Sequence, residues 1–491
     1  MSIIKKTTFV FIIFSILLIL LLSFKTLLFV PENISVPTPI NIKISTQTAK
    51  SRLAKALTFK TISNQDKTLF NAQSFVDMQQ FIEQTFPLVF SSLEKEVVNK
   101  HSLLFKWQGK NTALNPILFL AHQDVVPVPE QNLSLWTHPP FAGDIDDKYI
   151  WGRGSLDDKA SLMGIFESVT LLLKQGFKPE RTIYLAFGHD EEIGGEQGAK
   201  KIAELLKSRG VELEFVLDEG GIIADGVFPG LEPSVAMVGI TEKGYLSLEL
   251  SVQVEGGHSS MPPKHTAVGI LSQAIVDIEA NPFPTDSKYA MPFFDTITRY
   301  MPFSKRFVFA NTWLLEPLIV AQLAKNKLTN SMLRTTAAAT MFNSGIKDNV
   351  LPTSATAVVN FRILPGETVE TVKQYVKKVI NNPNVKISGD GWTPASVSNI
   401  HSKSFALLEK TIHQANGNGK ALIVSPYVVM AGTDSRYFDP LSNNVYRFLF
   451  NYTTPDDIKR LHNINERISI DNYIKVIRFY YQLMKNSDQL L

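Results

Sequence analysis

The sequence predicts an α/β fold: a main domain with a central mixed sheet flanked by helices, and a smaller α/β sandwich domain inserted into it. Three observations predict it. Between residues 115 and 217, short apolar runs of strand length alternate with longer segments of helical period. Around residue 244 the texture changes to alternation with period two. Near Ser402 the earlier pattern returns, as expected of a domain whose chain was interrupted.

Taken in order, residues 1–30 form an N-terminal membrane anchor or signal segment. Lys5 and Lys6 precede an uncharged apolar run over residues 9–24, Lys25 interrupts it, and apolar character continues to Pro31. The clean run is 16 residues, short of the roughly 20 that cross a bilayer. If Lys25 snorkels, the stretch to Val30 suffices. No small-x-small cleavage site follows the run, which favours an uncleaved anchor over a cleaved signal. The two lysines then place the N-terminus in the cytoplasm and the body on the extracytoplasmic side; cleavage would make the body secreted or periplasmic. Residues 31–60, rich in Pro, Thr, Ser and Lys near their start, read as a linker.

Residues 61–243 form the first part of the main domain. Helical period marks 75–86, with Pro87 ending or kinking the helix, and 93–98 reads as a further helical piece. Strands are expected over 101–107, 115–120, 182–187 and 214–217. Helices are expected over 159–174, closed by Gly176, and over 197–208, closed by Gly210. Residues 244–392 form the inserted domain, with strands at 245–254 and 355–363 and helices at 266–280 and 369–380. Apolar helical pieces within 285–345 either cover the site or enlarge a contact surface. Residues 393–491 complete the main domain.

Composition narrows the function classes. The net charge is +3, from 49 basic and 46 acidic residues, with no basic arm; nucleic-acid binding has no electrostatic support. There are no cysteines, so disulfides, thiol catalysis and thiolate metal sites are excluded. Any metal must sit on His, Asp, Glu or water.

Five groups carry the chemistry: His122-Gln123-Asp124, Asp157-Asp158, Asp190-Glu191-Glu192, Asp218-Glu219 and His462. Several directly follow apolar strands, and residues past strand ends in an open α/β sheet share a crevice. Three consecutive acids there repel one another unless divalent cations intervene. Any one group alone reads equally as a solvated loop or a cap. His122 and Asp124 either face the same side of an extended segment, or Asp124 fixes the His122 ring through its second nitrogen.

The sequence resembles the M20 family of metallopeptidases, most closely its carboxypeptidase S and secreted N-acyl-amino-acid hydrolase branch. The resemblance lies in LAHQDVVPVP from Leu120, WGRGSLDDKA from Trp151, GHDEEIGG from Gly188 and FVLDEGG from Phe215. It continues in EGGHSSMPP from Glu255, DNVLPTSA from Asp348, AGTDSRYF from Ala431 and LHNINERI from Leu461. It implies a zinc-peptidase-like catalytic domain with an inserted lid or dimerisation domain, and two Zn²⁺ per subunit, with Mn²⁺ or Co²⁺ as other occupants. His122 and Asp218 would hold one metal, Glu192 and His462 the other, with Asp157 bridging and a cis peptide after it. Glu191 would be the general base, Asp124 would orient His122, and Glu219 would orient its neighbour. His258 would polarise the substrate carbonyl, often across a homodimer. Asn349, Arg362, Gly432, Thr433 and Arg436 would contact substrate; for Arg436 the other reading is a structural pair with Asp434. His189 reads as packing beside the site.

The activity so implied is zinc-dependent hydrolysis of the amide bond in short peptides or N-acyl amino acids with a free carboxylate, as a carboxypeptidase or an aminoacylase. Hydrolysis and synthesis of N-fatty-acyl amino acids is the second reading. A catalytically silent membrane-anchored interaction protein is a third, disfavoured because all five metal positions and Glu191 are present.

Overall fold

The computed structural model describes residues 3–31, 37–39, 41–417 and 419–490. The side chains of Lys5 and Lys6, expected to set the orientation of the N-terminal segment, and residues 32–36 and 40 of the expected linker lie outside the described residues. The main domain is built on a ten-stranded mixed sheet. Ile117–His122 runs parallel to both its neighbours, Ile183–Gly188 and Phe215–Asp218. On one side the sheet continues through Ser102–Trp107 to Glu94–Val98, and on the other through Val445–Arg447 to Ser234–Glu242.

The three parallel strands are apolar along their length, and strand geometry divides them between two cores. Ile117, Phe119, Leu185 and Leu217 enter the larger one, with the helices Thr46–Leu57, Lys159–Lys174 and Ile470–Ser487. Leu118, Leu120, Ala186 and Val216 face the other, with Ala199–Ser208 and Phe438. Gly164 lets two helices meet closely: a Cβ there would lie 2.8 Å from Val476 Cγ1.

Two expectations need correcting. Residues 93–98 are not helical; Glu94–Val98 is a strand paired antiparallel with Ser102–Trp107. Asn99 and Lys100, at φ 45° and 75°, form a left-handed turn that joins them as a hairpin. The preceding helix ends sooner, at Pro87–Ser92. The stretch read as a linker contains the helix Thr46–Leu57, capped by Ser45. Leu53, Ala56 and Leu57 are fully buried, and Lys159 Nζ donates to the Ala56 and Phe59 carbonyls at its C-terminal end, where a cation complements the helix dipole.

Residues from Gly244 to Trp392 supply a separate five-stranded sheet, with Gly244–Gln253 at its centre and Thr336–Ser344 at one edge. Leu246, Leu248, Leu250 and Val252 point to one face, as the alternation predicted, and meet Leu271 and Val376 from the helices Ala267–Ala280 and Val369–Ile380. This is the smaller inserted domain of the α/β architecture, borne out as expected. The apolar pieces of 285–345 are four helices, Met291–Thr298, Phe303–Phe309, Thr312–Leu323 and Lys327–Leu333, followed by the edge strand. Phe293, Phe294, Ile297 and Met332 form a core with Val235, Met237 and Ile423 of the main sheet.

Candidate metal centre

Three neighbouring parallel strands end together: Ile117–His122 at His122, Phe215–Asp218 just before Glu219, and Ile183–Gly188 three residues before Glu191. After Gly188 the chain makes a 3₁₀ turn, Glu191–Ile193, closed by Gly194 and Gly195 at φ 108° and 67°. A 3₁₀ turn separates successive side chains by about 120°, so adjacent glutamates point in different directions. Asp157 arrives from the loop before Lys159–Lys174, across a cis Asp157–Asp158 peptide. His462 comes from a loop near the C-terminus, at φ 55°.

Asp157 is the centre of the arrangement. Its Oδ1 lies 2.8 Å from His122 Nε2 and its Oδ2 lies 2.9 Å from His462 Nε2. His462 Nε2 is 3.3 Å from Glu192 Oε2. Two groups of donor atoms result, His122–Asp157–Glu219 and Asp157–Glu192–His462, each with its atoms within 4.8 Å of one another. Asp157 belongs to both. The donors are imidazole nitrogens and carboxylate oxygens, a set that suits Zn²⁺, Mn²⁺ or Co²⁺.

Electrostatics supports the fit. Burial and then the Asp157 charge push Glu192 up to about 7. Burial, with Asp434, Glu219 and Glu192 adding repulsion, raises Glu191 well above the usual carboxylate range. Burial opposes ionisation of Asp157, and the bonds to His122 and His462 outweigh it and lower its pKa. His462 is raised to about 10 by Asp157 and Glu192. The Asp158 oxygens and Glu192 Oε1 are buried without hydrogen-bond partners. So many buried acids around one point call for positive charge.

The donor group around His122 takes in Glu219, where the expectation had Asp218. Asp218 Oδ1 accepts from Glu219 N at 2.9 Å and Oδ2 from Ser435 N at 2.8 Å. Each oxygen thus holds one backbone N–H, and the carboxylate grouped with His122 and Asp157 is that of Glu219. The reason is the strand's end: Asp218 is its last residue, and successive side chains face opposite ways.

Asp124 does more than orient His122. His122 Nδ1 lies 3.0 Å from the Asp124 carbonyl and 3.4 Å from Oδ1. The same carboxylate accepts the backbone N–H of Glu191 on Oδ1 and of Glu192 on Oδ2, each at 3.1 Å. Sequence reasoning missed Arg153 and Glu466. Glu466 accepts from Arg153 Nη1 at 2.5 Å, Leu156 N at 2.8 Å and Asp157 N at 3.3 Å, and so fixes the Asp157 loop. An opposite charge in each of the motifs WGRGSLDD and NINER was the available signal.

The remaining expected contacts are not among these donor groups. His258 is exposed, its Nδ1 bound by Ser260, on a two-stranded ribbon with Val350 next to exposed Asn349. Arg362 lies over Tyr245 at 5.0 Å, and Tyr245 stacks on Trp392 at 4.8 Å. Arg436 lies over Trp392 at 4.4 Å and donates to the Gly194 and Thr433 carbonyls. Thr433 is buried and gives its N–H and hydroxyl to Glu242. Gly432 faces Trp392, whose Cζ2 would lie 3.3 Å from an added Cβ. His189, as expected, packs beside the site, against Ser102.

Three cavities approach the centre. An apolar one of about 340 Å³ begins at Leu156, Glu219 and Leu461 and continues between Ile222, Phe228, Met332 and Met430. A larger one of about 800 Å³ shares Leu156 but is lined by Lys50, Asp225, Arg467, Lys475 and other charges, without any metal-site carboxylate. The smaller meets the chemistry through Glu219, which forms its wall; a third, of about 160 Å³ between Pro127, Trp136 and Asn463, meets it through His462.

Residues 118–486 match the sequence profile of Peptidase family M20/M25/M40. The chain belongs to this family. A carboxypeptidase S-like protein of Dictyostelium discoideum, "Probable carboxypeptidase S-like 2", is 44% identical over 446 residues, 90% of this chain and 85% of that one. The N-fatty-acyl-amino acid synthase/hydrolase PM20D1 of Xenopus tropicalis is 42% identical over 424 residues, 85% of this chain and 82% of that one. Among solved structures, the M20 family metallo-carboxypeptidase Sso-CP2 of Sulfolobus solfataricus superimposes with a TM-score of 0.64 at 19% identity, covering 91% of this chain and all of that one. That likeness is one of fold, and this M20 chain's own geometry carries the site.

Proposed function

We propose that this M20 protein is a two-metal amide hydrolase acting on N-acyl amino acids and short peptides with a free carboxylate. The observation that carries the reading is Asp157 shared between two imidazole–carboxylate groups. His122, Asp157 and Glu219 would hold one ion, and Asp157, Glu192 and His462 the other; zinc is the assigned metal, by resemblance. When bound, such ions supply Lewis acidity toward water and the substrate carbonyl. Glu191, whose backbone Asp124 fixes, takes the proton of the attacking water and delivers it to the leaving nitrogen. Asp218 and Glu466 hold the backbone around the centre. Arg436, held by Trp392 and Gly194, lends positive charge to the side where a substrate carboxylate would lie. His258 and Asn349 would reach a substrate from the inserted domain, in a closed form or from the partner in a homodimer. The N-terminal helix is the membrane anchor, with the body on the extracytoplasmic side.

The apolar cavity beside Glu219 favours an aliphatic acyl group over a polar peptide. In the zinc-loaded protein, Glu191→Gln is expected to lower kcat by roughly 10²–10⁴-fold with metal content unchanged; equal activity in both proteins would remove Glu191 from the mechanism. Across an N-acyl amino acid series, Met430→Glu is expected to depress kcat/KM for long chains far more than for short ones. A uniform loss would place the acyl group elsewhere.

A further inference from the structure

The helix Ile3–Leu28 contains 22 residues, Thr7–Leu28, long and apolar enough to cross a membrane. At about 1.5 Å per residue they extend roughly 33 Å, against about 30 Å of hydrocarbon. The helix is not free over that length. Leu22 and Thr26 are buried against the body. Asn311 Nδ2 donates to the Leu22 carbonyl at 3.2 Å and to Thr26 Oγ1 at 3.4 Å, and Thr26 Oγ1 donates to the Leu22 carbonyl at 2.8 Å. Of the apolar span only residues 7–21 project, about 22 Å of helix. If the body stopped at the membrane surface, the projecting part would fall about 8 Å short of the far side. The docked turns, and whatever they rest on, must make up the difference.

What they rest on has the surface this requires. In Thr312–Leu323, Trp313, Leu314, Pro317, Leu318 and Ala321 are exposed, a single stripe at helical spacing that is apolar where a helix in water is polar. Trp313 is 56% and Leu318 69% exposed. The helix's one acid, Glu316, accepts from Ser287 of the body at 2.5 Å. A groove of about 220 Å³ runs between Val308, Phe309, Leu315, Leu318 and Leu323. Lys25 lies 5.1 Å from the Trp313 ring; Lys305 and Arg306 stand within the first helix, Lys305 Nζ donating to the Pro229 carbonyl, and Lys325 and Lys327 follow the second, a tryptophan and basic residues of the kind found at a membrane interface. Asn311 Nδ2 and Thr26 Oγ1 bond within the protein, as groups beside hydrocarbon must.

We propose that the helices Phe303–Phe309 and Thr312–Leu323 form a platform sunk into the outer hydrocarbon of a phospholipid bilayer, beside the N-terminal helix. This rests on the reading of that helix as an uncleaved anchor. The platform is continuous with Lys327–Leu333, which supplies Leu328 and Met332 to the apolar cavity at Glu219. Lipophilic substrate would thus have a short path from the bilayer to the cavity.

The absence of cysteine allows a direct test. Full-length protein carrying Leu318→Cys, Phe11→Cys or Val276→Cys is labelled with an environment-sensitive fluorophore and reconstituted in phosphatidylcholine–phosphatidylglycerol vesicles, with and without doxyl-labelled lipid. Phe11 is 69% exposed on the N-terminal helix, and Val276 54% exposed in the inserted domain. Retained amide hydrolysis identifies folded samples. Quenching at positions 318 and 11, with position 276 in water, is expected. Quenching at 11 alone would overturn the platform and leave the anchor standing. Quenching at neither would overturn both, and quenching at 276 equal to that at 318 would overturn the platform as a specific surface.

Discussion

Asp124 accepts the backbone N–H groups of Glu191 and Glu192 on its two oxygens, so one side chain sets the direction of two others. Asp124→Asn retains one acceptor and loses the second. The expected result is a kcat loss together with weaker metal retention, roughly 10–100-fold in affinity, read by turnover and by metal analysis after dialysis. The place of Glu219, rather than Asp218, in the donor group gives a sharper test at the same scale. Glu219→Ala is expected to lose one of two bound equivalents, whereas Asp218→Asn retains both and loses activity through a displaced backbone. Loss of one equivalent from Asp218→Asn, with both kept in Glu219→Ala, would restore the assignment made from sequence. That assignment failed to foresee the geometry for a physical reason. Neighbouring acids at a strand end are alike in composition, and which one turns inward depends on Ser435 N, 217 residues away in the chain.

At the scale of elements, Thr46–Leu57 was not legible as part of the domain, because its Thr, Ser and Lys content reads as surface. Its buried face is only Ala49, Leu53, Ala54, Ala56 and Leu57, and its C-terminal carbonyls are bound by Lys159, two residues from Asp157. Leu53→Ala is expected to cost about 2–5 kcal/mol, measured by urea unfolding, and to lower metal affinity by loosening the Asp157 loop. If Leu53→Ala leaves stability unchanged, the helix is peripheral. The hairpin from Glu94 to Trp107 was misread in its first strand because EKEVV has no clear period of its own. Its partner strand decides its conformation. The three parallel strands that lead to the site, by contrast, were legible, their runs being too short for helices and ending at the chemistry, whereas Ser234–Glu242 and Leu422–Val429 were not read as strands.

At the scale of the molecule, the two domains meet at Lys243, between the strands Ser234–Glu242 and Gly244–Gln253. Lys243 Nζ donates to the Ser331 and Arg334 carbonyls. Burial, then the Arg362 charge, depresses its pKa to about 7, against about 10.4 in an unfolded chain. Above pH 7 the unfolded chain binds this proton and the folded one does not. Stability therefore rises with pH from about 7 toward 10.4 through this group. Lys243→Met is expected to reduce the increase in Tm between pH 7 and 9; an unchanged slope would place the charge elsewhere. Chelation is expected to lower Tm, the loss following the logarithm of the free metal concentration above its Kd, because the acids gathered around Asp157 then face one another unshielded.

Period, length and residue chemistry were enough to read the layered α/β architecture, the inserted domain, the apolar N-terminal helix and the types of the candidate donor groups. Tertiary structure alone decided that Glu219 rather than Asp218 joins His122 and Asp157. It also decided that Asp124 and Glu466 hold backbone, that Arg436 lies against Trp392, and that the N-terminal helix rests on Asn311. Each of these depends on atoms brought together from distant parts of the chain, and side-chain direction at such meetings is set by packing that no local pattern records.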